Sequence, residues 1–305
     1  MKKRTTWSIF PKITIKDLLA HASGLPAFKQ YYKEKKTRES VLESIYDTVP
    51  IKSNRDTTIY SDVGAIILGE IVEKISGLPL NVFADSMIFK PLGMGATFFN
   101  PPSNKNRRIV PTESRPDGTI VHGYVHDENA YSLGGVAGHA GLFSTAKDLA
   151  VFSQMMLNDG IYGWKRIFKI GTVSEFTAKA NVVDGSSRLL GWDSPGGYAS
   201  GGIYLSDNSF GHTGFTGTSM WIDPDQGIIV ILLTNAVHPN RKNKSPKYYD
   251  WRQRIHSAVY ESLSIINKNI PQKLFNKSTA ANMILTLPLG LFILVFGKAV
   301  SSFQC

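Results

Sequence analysis

The chain has 305 residues, of which 42% are hydrophobic, 19% charged and 11% aromatic, a globular composition that excludes disordered, collagen-like and coiled-coil readings. Lys+Arg 34 against Asp+Glu 24 gives +10; the positives scatter over termini and loops (Lys2, Lys3, Arg4, Lys33, Lys35, Lys36, Arg241 to Lys247), with no nucleic-acid motif among them, so no nucleic-acid partner is expected. The one cysteine, Cys305, excludes an intrachain disulfide and a thiolate metal cluster.

Met1 to Arg4 is basic, but Thr5 to Lys12 lacks the apolar run of a secretory signal, so no signal peptide is expected. Thr14-Ile15-Lys16-Asp17 has capping-box form and predicts a short helix ending near Gly24. Residues 37–48 read as an amphipathic helix. The span 62–76 reads as a stronger one: Val63, Ile67, Ile71 and Ile75 recur every fourth residue, Asp62 is placed at the N-cap, and Gly77 stops the helix. Another helix is predicted over 145–158, with Ser144 or Thr145 as cap. Residues 185–218 are Gly- and Ser-rich and read as loops and short strands. Gly217 to Pro224 and Ile228 to Leu233 form a predicted hairpin whose second strand is buried on both faces. A helix over 248–263 closes the domain, giving a mixed α+β protein. Residues 267–279 read as a basic linker. Residues 280–300 (AANMILTLPLGLFILVFGKAV), carrying one charge at Lys298, match the roughly 20 residues of a bilayer span and read as a membrane-spanning helix, the alternative being a buried or frayed tail.

Three places hold residues suited to chemistry. Tyr60-Ser61-Asp62 precedes the strong helix; Tyr60 suits a general base if nearby cations depress its pKa, and Asp62 either bonds a substrate amide or caps the helix, the cap being the better reading from spacing alone. Gly211-His212-Thr213-Gly214-Phe215-Thr216-Gly217 places a His-Thr pair between glycines on a predicted edge strand. There a substrate backbone can approach closely and free N–H groups can serve an oxyanion, unless the segment is merely a Gly-rich loop. The third is His122, His126 and Asp127, with His139 downstream. A metal site is weighed and set aside, because glycines interrupt the spacing and no H-E-x-x-H pattern occurs.

Taken together, ITIKDLLAHASGLPAF (13–28), YSDVGAIILGEIVEKISG (60–77), LGMGATFF (92–99), VHDENAYSLGGVAGHAGLFSTAKDL (125–149) and FGHTGFTGTSMWIDP (210–224) resemble the serine β-lactamase and penicillin-binding protein superfamily. The resemblance is to the class C β-lactamase-like branch, which includes D-alanyl-D-alanine carboxypeptidases, D-aminopeptidases and esterases, and it spans about 13 to 263. It implies an antiparallel sheet flanked by helices plus a helical lobe, and acyl transfer through a serine ester without cofactor or metal. It also implies Tyr60 as base or proton shuttle, Asp62 in the place of the motif's Asn, and His212, Thr213 and Gly214 as the strand triplet, with the Phe215 N–H as oxyanion donor. Asp62 and His212, in place of Asn and Lys, weaken the case for β-lactam hydrolysis and leave peptidase or esterase activity open.

The family's Ser-x-x-Lys is expected tens of residues before LLAHASGLP. The one Ser-x-x-Lys in the chain is Ser144 to Lys147, placed as a helix start rather than a nucleophile. The expectation is therefore a hydrolase domain over 1–266 lacking its N-terminal strands and nucleophile helix, and inactive as it stands. Without those strands, 228–233 is expected to show an open apolar edge. The alternative is a catalytically dead, membrane-anchored protein that binds peptidoglycan peptides. The expected partner is a peptide or small-molecule substrate of cell-wall type, at a membrane-associated, extracytoplasmic location. The loops at 27–36 and 185–209 carry no readable specificity.

Overall fold

The computed structural model describes residues 13–33, 37–103, 109–196, 200–243, 247–269, 283–287 and 291–296. The helices are α1 (Ile15–Leu19), α2 (Arg38–Tyr46), α3 (Asp62–Ser76), α4 (Leu80–Ala84), α5 (Lys90–Leu92), α6 (Glu128–Ser132), α7 (Ala146–Leu157), α8 (Thr172–Thr177) and α9 (Lys247–Asn269). Two small ribbons pair β1 (Phe98–Phe99) with β2 (Leu142–Phe143) and β3 (Ile161–Tyr162) with β4 (Lys165–Arg166). The main sheet holds β5 (Phe210–Thr213), β6 (Ser219–Asp223), β7 (Ile228–Leu233), β8 (Met283–Leu287) and β9 (Leu291–Phe296), all antiparallel, in the order β5-β6-β7-β9-β8.

Local sequence dictates much of this. Both arms of the capping box at Thr14 and Asp17 are formed, although α1 ends at Leu19, well before Gly24. The buried Asp17 carboxylate also takes a 2.8 Å ion pair from Arg55. Helix α3 spans 62–76, with Gly77 in the left-handed conformation at its C-cap (φ 71°). Its N-cap is Ser61 rather than Asp62: the Ser61 hydroxyl accepts the Gly64 N–H at 3.1 Å, which leaves the Asp62 carboxylate free of capping duty. Thr145, not Ser144, caps α7.

The predicted hairpin is β6–β7, and the alternation along β7 decides how it is covered. Ile229 and Ile231 face the cluster built with Ala150, Met155 and Met156 of α7. Ile228, Val230 and Leu232 face Val259 and Tyr260 of α9. The sheet is thus a middle layer between two helices, and every β7 residue but the last is buried. A separate cluster joins α1, α2, α3 and α6 in the helical lobe through Leu18, Val41, Ile45, Val63, Ile66 and Ala130.

Two expectations at the C-terminal end are corrected. The apolar span expected as one helix contains two strands, β8 and β9, hydrogen-bonded to each other and to the main sheet. Among the described residues no helix is long and apolar enough to cross a membrane. The edge of β7 expected to lie open is also occupied, by β9 in the register Ile229 with Phe296 and Leu233 with Phe292. The physical reason is the same for both: an apolar run rich in Leu, Ile, Val and Phe satisfies its backbone as well by joining an unpaired apolar edge as by coiling. The basic linker expected at 267–279 begins inside α9; its remainder, like the N-terminal residues 1–12, lies outside the described residues.

Candidate active site

Two pieces of chain, one from each lobe, meet at Tyr60. On the helical side, residues 59–62 are tied to 21–27. The Ile59 N–H donates to the His21 carbonyl (2.9 Å) and the Asp62 N–H to the Ala27 carbonyl (2.9 Å). The Ser61 N–H donates to His21 Nδ1 (3.1 Å), and the Ser61 hydroxyl to the Pro26 carbonyl (2.7 Å). Tyr60 is held at the rim by this ladder, with its side chain still reachable (41% exposed). On the sheet side, His212 projects from β5 so that its ring lies 5.8 Å from the Tyr60 ring. Its Nδ1 lies 2.9 Å from the Thr213 carbonyl, so Nδ1 carries a proton and donates to that oxygen.

Strand β5 is an edge strand, as expected, but part of its edge is taken. Asp193 pairs with Gly211 through both N–H to carbonyl bonds (2.8 and 3.0 Å). Alternation along an antiparallel strand then makes Thr213 the next residue to turn its backbone outward. A tight turn follows: the Gly214 N–H donates to the Thr218 carbonyl and the Gly217 N–H to the Gly214 carbonyl. A Cβ at Gly214 would press on the Thr218 hydroxyl, which would have to rotate away. Phe215 lies within this turn, 59% exposed, with its ring stacked on His126 at 5.8 Å.

The electrostatics differ from the expectation in one respect. Tyr60 does sit under a cation, the Arg188 guanidinium, 5.2 Å from the ring centroid. Its phenol is nevertheless pushed up, not down: burial dominates, the Asp62 and Asp193 charges add to it, and Arg188 opposes them. Arg188 is itself paired with Asp193 at 2.5 Å. At neutral pH Tyr60 is therefore a phenol. Burial also pushes the Asp62 carboxyl up; His139 opposes this and the Asp127 charge adds to it. His21 is held neutral, its imidazole lowered to about 3 by burial and by the Arg188 and His212 charges.

Tyr60, Asp62, His212, Thr213 and Gly214 thus lie on the two segments that meet here. His122, His126 and Asp127 are not brought together. His122 faces the Ile109 carbonyl at 2.9 Å. His126 donates to Glu113 at 2.9 Å, and Asp127 pairs with His139 at 2.8 Å while capping α6. Ser144 bonds the Thr97 hydroxyl at 2.7 Å, beside the start of α7. Sequence reading missed Arg188 and His21. Arg188 sits in a Gly/Ser-rich loop with no local pattern. The signal for His21 is a non-glycine residue at φ 53°, which is invisible before the backbone is known.

Comparison with known proteins shows the family and the fold. A family profile described as Beta-lactamase matches residues 7–254. The chain is 38% identical to a Salmonella gallinarum protein named "Putative D-alanyl-D-alanine carboxypeptidase", with 74% of this chain and 58% of the relative covered. It is 37% identical to the N-acetylmuramyl-L-alanine amidase of Bacillus subtilis, covering 74% and 57%. The chain therefore spans less than three fifths of these relatives' length. Among solved structures, simvastatin synthase (LovD) from Aspergillus terreus is similar with TM-score 0.61 at 19% identity, covering 83% of this chain and 69% of that one. EstCE1, a hydrolase with promiscuous acyltransferase activity, is similar with TM-score 0.60 at 20% identity, covering 82% and 72%; both likenesses concern the fold. By the extent of the profile match and the identity to its relatives, the chain belongs to the beta-lactamase family.

Proposed function

We propose that this chain carries the tyrosine and strand half of a serine-type acyl-transfer site acting on D-alanyl peptides of cell-wall type. The observation that carries the reading is the meeting of Tyr60 and His212 from opposite lobes at 5.8 Å. In such a reaction a serine oxygen bonds to the substrate carbonyl carbon, the C–N bond breaks, and the leaving nitrogen takes a proton; water later cleaves the ester and regenerates the serine. Tyr60, a phenol at neutral pH, gives its proton to the leaving nitrogen as it takes the proton of the serine hydroxyl, and in the second step it relays a proton from the attacking water to the departing serine oxygen. The outward edge of β5 at Thr213 aligns the substrate backbone. His212 faces the same space, and the Phe215 N–H is assigned to the carbonyl oxygen as its charge grows. Asp62, half-buried and two residues from Tyr60, accepts from substrate N–H groups. The names of the 37–38% identical relatives support a cell-wall peptide as the substrate class.

The nucleophile is the open element. The single Ser-x-x-Lys of the 305 residues has its serine bonded to Thr97 and its lysine exposed. We infer that the 305-residue chain alone forms no acyl-enzyme. Intact-mass measurement after exposure to penicillin and to a chromogenic cephalosporin tests this, using this chain and a version extended upstream of Met1. The expected result is no adduct on this chain and one adduct on the extended protein. An adduct on a serine of this chain would overturn the assignment. A second reading, a binding protein for peptidoglycan peptides, is favoured by the same placement of Ser144; saturable D-Ala-D-Ala binding with no adduct on either protein supports it.

A further inference from the structure

One residue outside the proposed catalytic set holds Tyr60 and both of its chain neighbours. His21 lies in the loop after α1, 8% exposed, with its backbone at φ 53°. That left-handed conformation is uncommon for a side chain of this size and is kept only where surroundings impose it. Its effect is to aim two acceptors of one residue at the same short segment. The His21 carbonyl takes the N–H of Ile59 and the His21 ring Nδ1 takes the N–H of Ser61, the residues on either side of Tyr60. The ring then packs on the Tyr60 ring, with centroids 4.4 Å apart and planes tilted by 43°.

An imidazole that accepts at Nδ1 carries its proton at Nε2 and must be neutral, because a second proton would set a donor against the Ser61 N–H. The groups facing the ring enforce that state. Arg188 and His212 approach it from the other lobe and disfavour a second charge on it, and Tyr60 covers it. A buried, neutral ring of fixed tautomer is a rigid support, unlike an aliphatic side chain of similar volume, which could pack but not accept.

We propose that His21 is the positioning residue of the Tyr60 site: as a neutral, Nε2-protonated imidazole it fixes the backbone on both sides of Tyr60 and directs the phenol toward His212. The inference rests on Tyr60 being the proton carrier of the proposed reaction, but its test needs no turnover.

The test labels the full chain with tyrosine enriched in carbon-13 at Cζ and follows the phenol signals against pH, with Tyr60→Phe identifying the Tyr60 signal. His21→Gly accepts φ 53° without strain but removes the ring and its acceptor. His21→Asn also tolerates this backbone and returns an acceptor oxygen near the Nδ1 position. In His21→Gly the Tyr60 signal is expected to move, and its midpoint to fall by about one pH unit as water reaches the phenol. His21→Asn is expected to recover at least half of the change. Tyr31, buried and bonded to Thr48, serves as the internal reference and holds its shift in both variants, which separates positioning from a general loosening of the lobe. The proposal is overturned if Tyr60 titrates in His21→Gly as in the parent, if His21→Asn recovers nothing, or if Tyr31 moves as far as Tyr60. Failure of the acyl-transfer reading shows instead in the mass experiment above and leaves this result standing.

Discussion

Replacing Glu113 by Gln tests the charge network that joins the segment around 113–128 to the segment after β7. Glu113 is 5% exposed. It accepts from the Arg241 side chain (2.8 and 3.0 Å), the Arg241 backbone N–H (3.0 Å) and His126 (2.9 Å). Burial alone would raise its carboxyl; the bonds from Arg241 and His126 outweigh burial and hold it at about 2 against an ordinary 4.5. That displacement corresponds to about 3 kcal/mol at about 1.4 kcal/mol per pH unit. Solvent on the Arg241 side, which is 36% exposed, trims it to about 2 kcal/mol. Because the folded value lies below the unfolded one, this stability is complete above about pH 4.5 and is lost as pH falls toward 2. Glu113→Gln puts an amide N–H₂ against donors, so it is expected to lower stability by about 2 kcal/mol at pH 7. The gap between parent and variant should narrow steadily between pH 5 and pH 3. Urea unfolding midpoints at pH 7, 5 and 3 measure the gap, and differences within one pH cancel every other titrating group. A gap that stays constant with pH, or a variant as stable as the parent at pH 7, would refute the reasoning.

Three further outcomes are expected. Gly138→Ala drives a Cβ into the Ala65 carbonyl and against Gly69 of α3; it should cost about 1–3 kcal/mol in thermal unfolding, while Gly95→Ala, with open space around the new Cβ, stays within about 0.5 kcal/mol. His256 is fully buried on the Ser219 hydroxyl (2.9 Å) and held at about 3, by burial first and the Arg252 charge second. Below pH 6.5 the unfolded chain takes up a proton that the fold refuses, so stability declines until about pH 3. His256→Gln cannot titrate and should flatten that decline, read as unfolding midpoints between pH 7 and 4. Arg188→Gln removes the charge that opposes burial at Tyr60, so the Tyr60 phenol should ionise at still higher pH in an ultraviolet titration; a downward shift contradicts the electrostatics described above.

What was legible in the sequence was local. The Thr14–Asp17 box, the helix marked by Val63 to Ile75 and the Gly77 stop act within a few residues, and the structure keeps all three, although the buried face runs through Val63, Ile66 and Gly69 and Ile75 is 78% exposed. The capping of α3 illustrates the limit: Ser61 and Asp62 are both good caps, and the choice fell to Ser61 because its N–H and hydroxyl are also held by His21 and Pro26. The site was half legible, through Tyr60 and the His212–Gly214 triplet. Arg188 and His21 act on Tyr60 only through contacts between distant segments, so no spacing announces them. The apolar stretch near the C-terminus shows how composition misleads. Its length fits a bilayer, but Pro288 and Gly290 lie between two runs rich in strand-forming side chains, and an unpaired strand elsewhere in the chain decided the outcome.

The partnership of β7 with β9 also sets a race during folding. Ile228–Leu233 is a six-residue run without charge, proline or glycine, the kind of segment that pairs readily with copies of itself. Its neighbour β6 can close at once across a short turn, whereas β9 arrives only after the chain has passed through the whole of α9. Closing that long loop is slow, and until it closes one side of the sheet remains a template for other molecules. Refolding yield should therefore fall as protein concentration rises, and a chain cut after α9 should be lost to aggregates at concentrations where the intact chain recovers.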